Sequence, residues 1–167
     1  MKAISEKQPW ASLIVHGIKD IENRTWPCPK KYIGKRVLIH ASAKPVKMIN
    51  PNSVFTKAQW DSLSVEFQRK IICVDGIVNS AIIGSIEIID CVINHPSIWA
   101  EKTENYTIGM NPKIHEGITG KKVIYNWVLA NPILFPEPIP TKGKLSFWEY
   151  PNINSEDDIC LCNLVIN

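Results

Sequence analysis

The chain has 167 residues, 45% of them hydrophobic and 21% charged, a balance that suits one folded domain and excludes a disordered chain. No apolar run approaches the roughly 20 residues of a membrane-spanning helix, and no apolar stretch of signal-peptide type follows the first charged residues. Five cysteines, an odd number without a leader, fit reduced thiols in a cytoplasmic protein and make the N-x-T triplets at Asn23 and Asn105 chance matches. The net charge of +3 is unevenly spread: residues 1–50 carry ten Lys or Arg against three Asp or Glu, and residues 51–167 carry nine against thirteen. A basic N-terminal third fits an anionic ligand, nucleic acid first, while charge alone favours a solvated lysine-rich surface.

Residues 2–5 suit a short strand. Pro9 suits a first helical position, Trp10, Leu13 and Ile14 keep helical spacing, and Gly17 suits a left-handed stop. Lys19 to Trp26 alternates, with Ile21 and Asn23 on one side and Asp20, Glu22 and Arg24 on the other, which predicts a strand with a polar face ended by Pro27. A basic loop around Gly34 leads into a strand over 36–41. Thr56 to Gln59 reads as a capping box opening a helix to about Ile72. Ala81 to Val92 is the strongest strand, and Gly84 within it signals a bulge or a close backbone approach. Residues 94–122 are polar and loop-rich, strands are expected over 123–129 and 145–149, and the prolines at 132, 136, 138 and 140 require extended or turning backbone. Strands and helices that do not alternate regularly predict an α+β domain on a mixed or closed sheet.

Several chemistries lack their motifs: no P-loop, no dinucleotide-binding glycine pattern, no nucleophile elbow and no zinc-protease helix. The only close cysteine pair, Cys160 and Cys162, has no zinc-knuckle spacing, so neither a metal nor a cofactor is expected. The informative stretch runs from Gln8 to Ala43. It reads Gln8-Pro9-Trp10-Ala11, Gly17-Ile18-Lys19, Glu22-Asn23-Arg24-Thr25-Trp26, then Gly34 through Ser42. With Gly84 to Cys91, Pro138 to Pro140 and Gly143 to Trp148, it resembles the ASCH domain family, in the form found in activating signal cointegrator-1.

The resemblance covers about residues 3–150. It implies a PUA-like fold, a small curved mixed β-barrel flanked by α-helices, with an ASCH domain over 1–150 and residues 151–167 as its C-terminal extension. It also implies a cleft at the first helix and the Lys-Glu-Arg strand, and RNA, DNA or a nucleotide or nucleoside as partner, RNA ahead of DNA. Some members of the family hydrolyse N4-acetylated cytidine and some are described as ribonucleases.

In the binding reading, Trp10 and Trp26 supply stacking area, Gln8 and Glu22 meet base edges, and Lys19, Arg24, Ser42 and Lys44 hold phosphates with His40 beside them. Lys30, Lys31, Lys35 and Arg36 would form a basic rim. For each aromatic the alternative is core packing, and for Glu22 and Arg24 a surface ion pair. In the hydrolase reading, Lys19 and Glu22 are catalytic without a metal, with Glu87 a further acid. There the hydroxyl residue of the deacetylase-like members is replaced by Glu22, so their mechanism does not carry over. Lys19 and Glu22, three apart in an ideal strand, would point to opposite sides, so a bend is required to unite them. A third reading is a protein adaptor using the acidic segment around Glu156.

Overall fold

The computed structural model describes residues 1–73 and 77–151; the C-terminal extension, with Cys160, Cys162 and Glu156, lies outside them. Six strands form one mixed sheet: β1 (Lys2–Glu6), β2 (Ile21–Arg24), β3 (Lys35–Ala41), β4 (Ala81–Val92), β5 (Tyr125–Pro140) and β6 (Phe147–Glu149). Their spatial order is β2-β5-β4-β3-β1-β6, with β1 and β3 parallel and all other neighbours antiparallel. Four helices accompany the sheet: α1 (Trp10–Val15), α2 (Lys57–Asp61), α3 (Val65–Cys73) and α4 (Pro112–Thr119).

The sheet curls into a half-barrel, the α+β fold of PUA-like domains. Among the described residues no hydrogen-bonded ladder joins its two ends. Side chains bridge them instead. The ring of Phe147 on β6 stacks on that of Trp127 on β5, with centroids 5.4 Å apart and planes 3° apart. Trp26, just past β2, meets Trp127 edge-on at 4.7 Å, and Tyr32 tilts onto Phe147 at 4.1 Å. This seam supplies large apolar area where a ladder is missing.

Helix α1 has no side-chain cap from Pro9. Gln8 substitutes: its Oε1 accepts from Ser12 N at 3.0 Å, and its Nε2 donates to Val78 O at 2.7 Å. Gly17 ends the turn at φ +72°, and the amides of Ile18 and Lys19 both return to Leu13 O. Ala11, Ile14 and Val15 pack into the main core with Val37, Ile39, Ile86 and Trp127. Leu13 faces a second core containing Ile21, Phe55, Leu63, Ile71 and Trp99. The two clusters fix the helix against the sheet on one side and against the loops on the other.

Two sequence expectations change. The helix expected over 56–72 is two helices, with Thr56 capping α2 as its capping box predicts. The strand expected over 123–129 is longer: β5 runs on through the proline-rich segment in extended backbone to Pro140, its register against β4 slipping three times. Gly84 sits at one of these slips. A Cβ there would collide with the Ile133 carbonyl and the Val15 side chain, so helix, β4 and β5 meet only because this residue has no side chain. Gly84→Ala is expected to destabilise the fold by about 1–3 kcal/mol through overpacking, measured as a fall in the denaturant midpoint at unchanged slope.

Candidate functional site

Lys19 leaves α1 at the Gly17 turn and precedes the first residue of β2, so it is not bound by strand alternation. Its Nζ folds back onto the carbonyl of Ile21 and lies 3.0 Å from Glu22 Oε2. The bend that the sequence required is this helix exit. Glu22 and Arg24 share a face of β2, and Glu22 Oε1 is 3.0 Å from Arg24 Nε. That Nε is buried without a hydrogen-bond partner, so the contact is Coulombic and misaligned as a hydrogen bond. The Arg24 terminal nitrogen pairs with Glu6 of β1, and its guanidinium lies 5.9 Å from the centroid of the Trp127 ring. Lys19, Glu22, Arg24 and Glu6 thus form one chain of alternating charge.

Glu6 is the residue that sequence reading missed. It is 6% exposed, and burial, followed by the neighbouring Glu22 charge, pushes its carboxyl up to about 8, against the opposing pull of Arg24 and Lys19. The available signal was a carboxylate at the inner end of a short apolar strand, one step from the Gln-Pro-Trp motif.

These four residues line a cleft of about 610 Å³ with Trp10, Trp99, Gln59 and Glu101 among its walls. Trp10 is half-buried, edge-on to Phe55 at 4.9 Å and to Trp99 at 6.3 Å, and Lys19 Nζ is 5.9 Å from its ring centroid. Asn23 builds the far wall: its Nδ2 donates to Trp99 O at 2.9 Å and its Oδ1 accepts from Glu101 N at 3.0 Å. Gln59 Nε2 donates to Ile98 O at 2.8 Å. The loop-rich segment after β4 is therefore a wall of the cleft, pinned to β2 and α2.

The other sequence candidates are dispersed. Gln8 is buried outside the cleft with both amide ends occupied. Trp26 belongs to the aromatic seam under Arg24. Lys44 is exposed and lines neither cavity described here. Lys30, Lys31 and Lys35 are exposed outside the cleft. Arg36 is engaged by Glu87 at 2.9 Å, Ser85 and the Asn131 carbonyl, which also occupies Glu87. The expected basic rim thus does not line the cleft. The titratable lining is Lys7, Lys19 and Arg24 against Glu22 and Glu101, with the Glu6 carboxyl ionising only near pH 8.

Ser42 lines this cleft and donates from Oγ to Glu6 O at 2.8 Å. His40 lies next door, buried, with Nε2 3.0 Å from Thr141 O and Nδ1 3.1 Å from Ser5 Oγ. Burial holds its pKa below the usual imidazole value, and a carbonyl only accepts, so the neutral ring carries its proton on Nε2. Among the described residues no cluster of three or more His, Cys, Asp or Glu could hold a metal ion. Burial pushes the Cys28 thiol up to about 12, which leaves it protonated and unreactive at neutral pH. Nor is any helix of the described residues long and apolar enough to cross a membrane.

The curled sheet, the helix docked in it and the cleft at the helix start define a PUA-like domain. The ASCH-domain profile matches residues 4–139, and the chain belongs to the ASCH domain family. The chain is similar in fold to the ASCH protein of Zymomonas mobilis, at TM-score 0.50 and 15% identity over 98% of this chain and 94% of that one. Two single-residue variants of that protein score 0.49 and 0.47, at 15% and 16% identity over 98% of this chain and 96% and 94% of theirs. No curated protein matches the chain.

Because Glu6 takes up its proton more readily folded than unfolded, its contribution to stability is fully present below its ordinary pKa of 4.5 and is lost as pH rises through about 8. Its part of the slope is at most about 1.4 kcal/mol per pH unit, the value for one proton. Glu6→Gln is expected to flatten stability against pH over this window; urea unfolding at a series of pH values, wild type minus variant, measures it.

Proposed function

We propose that the cleft binds a single nucleobase, presented by a nucleotide or by an RNA strand. The observation that carries this reading is the placement of a polar, charge-alternating array beside the half-buried Trp10 ring. Each Glu22 oxygen keeps a second lone pair, Lys19 a third ammonium hydrogen and Arg24 further guanidinium donors, which together suit the edge of a heterocycle. Trp10, backed edge-on by the buried Trp99, supplies aromatic area for one face of the base, a contact worth ~1–3 kcal/mol per base. A volume of about 610 Å³ falls in the range of small-ligand sites. Carboxylates interspersed among the cations of the lining favour a base over a track for a polyanion. RNA ahead of DNA follows from the family likeness, which is an analogy of fold.

The hydrolase reading draws support from the 3.0 Å contact of Lys19 with Glu22. It is the weaker of the two. Both Glu22 oxygens are taken up by cations and Lys19 is spent on a carboxylate and a carbonyl, which leaves no free base facing the cleft from this pair.

Tryptophan fluorescence titrations with the four ribonucleosides test the reading. Trp10→Leu, which keeps apolar bulk against Phe55, is expected to weaken binding about tenfold or more through lost stacking. The triple variant of Lys30, Lys31 and Lys35 to Ala is expected to bind like wild type. Binding that survives Trp10→Leu and collapses in the triple variant would contradict the proposal. Release of a product would return catalysis to Lys19 and Glu22.

A further inference from the structure

A second cavity, about 540 Å³, adjoins the first. The two share Ser5, Ser42 and Leu145 in their linings, so they are neighbouring compartments at the C-terminal ends of β1 and β3. Their chemistry differs. The charged residues lining the second are Lys142 and Lys144, with no carboxylate among them, while the first holds three carboxylates. Ser42 and Ser80 add hydroxyls beside the two lysines. Leu145, at the boundary, is 95% exposed, an apolar side chain standing where a sugar would cross from one compartment to the other.

The segment carrying the lysines is fixed to the sheet. Thr141 N donates to Ser80 O at 3.0 Å, Thr141 O takes the His40 Nε2 proton, and Lys144 O accepts from Ser5 Oγ at 2.9 Å. Between these anchors Gly143 lies so close to the His40 ring and to Ser5 Oγ that a Cβ would overlap them. The lysine stems on either side therefore start from defined positions, although their ammonium ends are exposed. His40, placed by the sequence among nucleic-acid contacts, is the residue that seats this segment.

We infer that the second cavity is a phosphate subsite, which takes the phosphate of a nucleotide whose base packs on Trp10 in the first cleft, with Lys142 and Lys144 as its ligands. The inference rests on the nucleobase reading of the first cleft and adds the ligand class: a nucleoside phosphate or a phosphodiester of a single strand, in preference to a free nucleoside. Charge separates the two compartments accordingly, donors without competing carboxylates where the anion sits and an array of mixed sign where the neutral base sits.

The test measures binding of ribonucleosides, their 5′-monophosphates and their 3′-monophosphates to wild type, Lys142→Ala/Lys144→Ala and Trp10→Leu, each at two salt concentrations. Both lysines are exposed, so the double variant keeps the fold; Lys30→Ala/Lys35→Ala, a double change at exposed lysines outside both linings, serves as the charge-matched control. In wild type at low salt, one monophosphate series is expected to bind about tenfold tighter than its nucleosides. That preference is expected to shrink at high salt and to fall to about twofold or less in the double variant, with the control unchanged. A wild-type preference near one, or a preference that the double variant retains, overturns the subsite while nucleoside binding stands. If neither nucleosides nor monophosphates bind, or if Trp10→Leu binds both like wild type, the nucleobase reading fails and the subsite with it.

Discussion

The contact between the Arg24 guanidinium and the Glu6 carboxyl holds together two strands that share no ladder. Strand β2 lies at one end of the sheet and β1 near the other, so this contact spans the gap of the half-barrel. It sits on the Trp127, Trp26 and Phe147 seam, which excludes water from one side of the guanidinium. Charges in such a place are expensive to desolvate, and removing one partner of a buried pair typically costs about 3–5 kcal/mol. The array limits that cost by alternation: Lys19 neutralises Glu22, Glu22 meets Arg24, and Arg24 meets Glu6. A raised Glu6 pKa is the residue of the bargain, since two carboxylates and their burial outweigh what the cations return. Lys19→Ala and Arg24→Ala therefore affect folding as well as any ligand, which makes them poor probes of binding alone.

The same array explains how the N-terminal third can be basic without presenting a basic surface at the cleft. Of its ten cations, Lys2, Lys19, Arg24 and Arg36 are paired with carboxylates, and the exposed lysines from 30 to 35 lie outside the cleft. Charge counted along a sequence does not distinguish a cation that bridges strands from one that faces solvent. Further positive charge beside the cleft comes from far down the chain, on the segment that Gly143 lets settle against His40.

Much of the fold was legible because it rests on local rules. The strand over 81–92 matches its expected bounds, the Thr56 capping box opens a helix, and Gly17 stops one. The site was legible in its Lys-Glu-Arg centre for the same reason: three residues, one turn, one strand. What failed depends on contacts remote in sequence. Gln8 looked like a base-edge reader, but a segment 70 residues away takes its amide. Trp26 looked like a stacking platform, and Trp127 and Phe147 take its ring. Trp99 carried no local mark and Glu6 only its place at the end of an apolar strand, because one becomes special through Asn23 and the other through Arg24 across the sheet gap.

On the nucleobase reading, ligand packs on the open side of Trp10, beside the charge array. The most direct measurement is an NMR titration that follows the indole Nε1–H signals of the six tryptophans as each ribonucleoside and its monophosphates are added. The Trp10 signal is expected to shift first and furthest, followed by that of Trp99 in edge contact with it, with Trp26 and Trp60 little affected. Shifts confined to the backbone amides of residues 30–35, or no indole shift with any of these ligands, would contradict it.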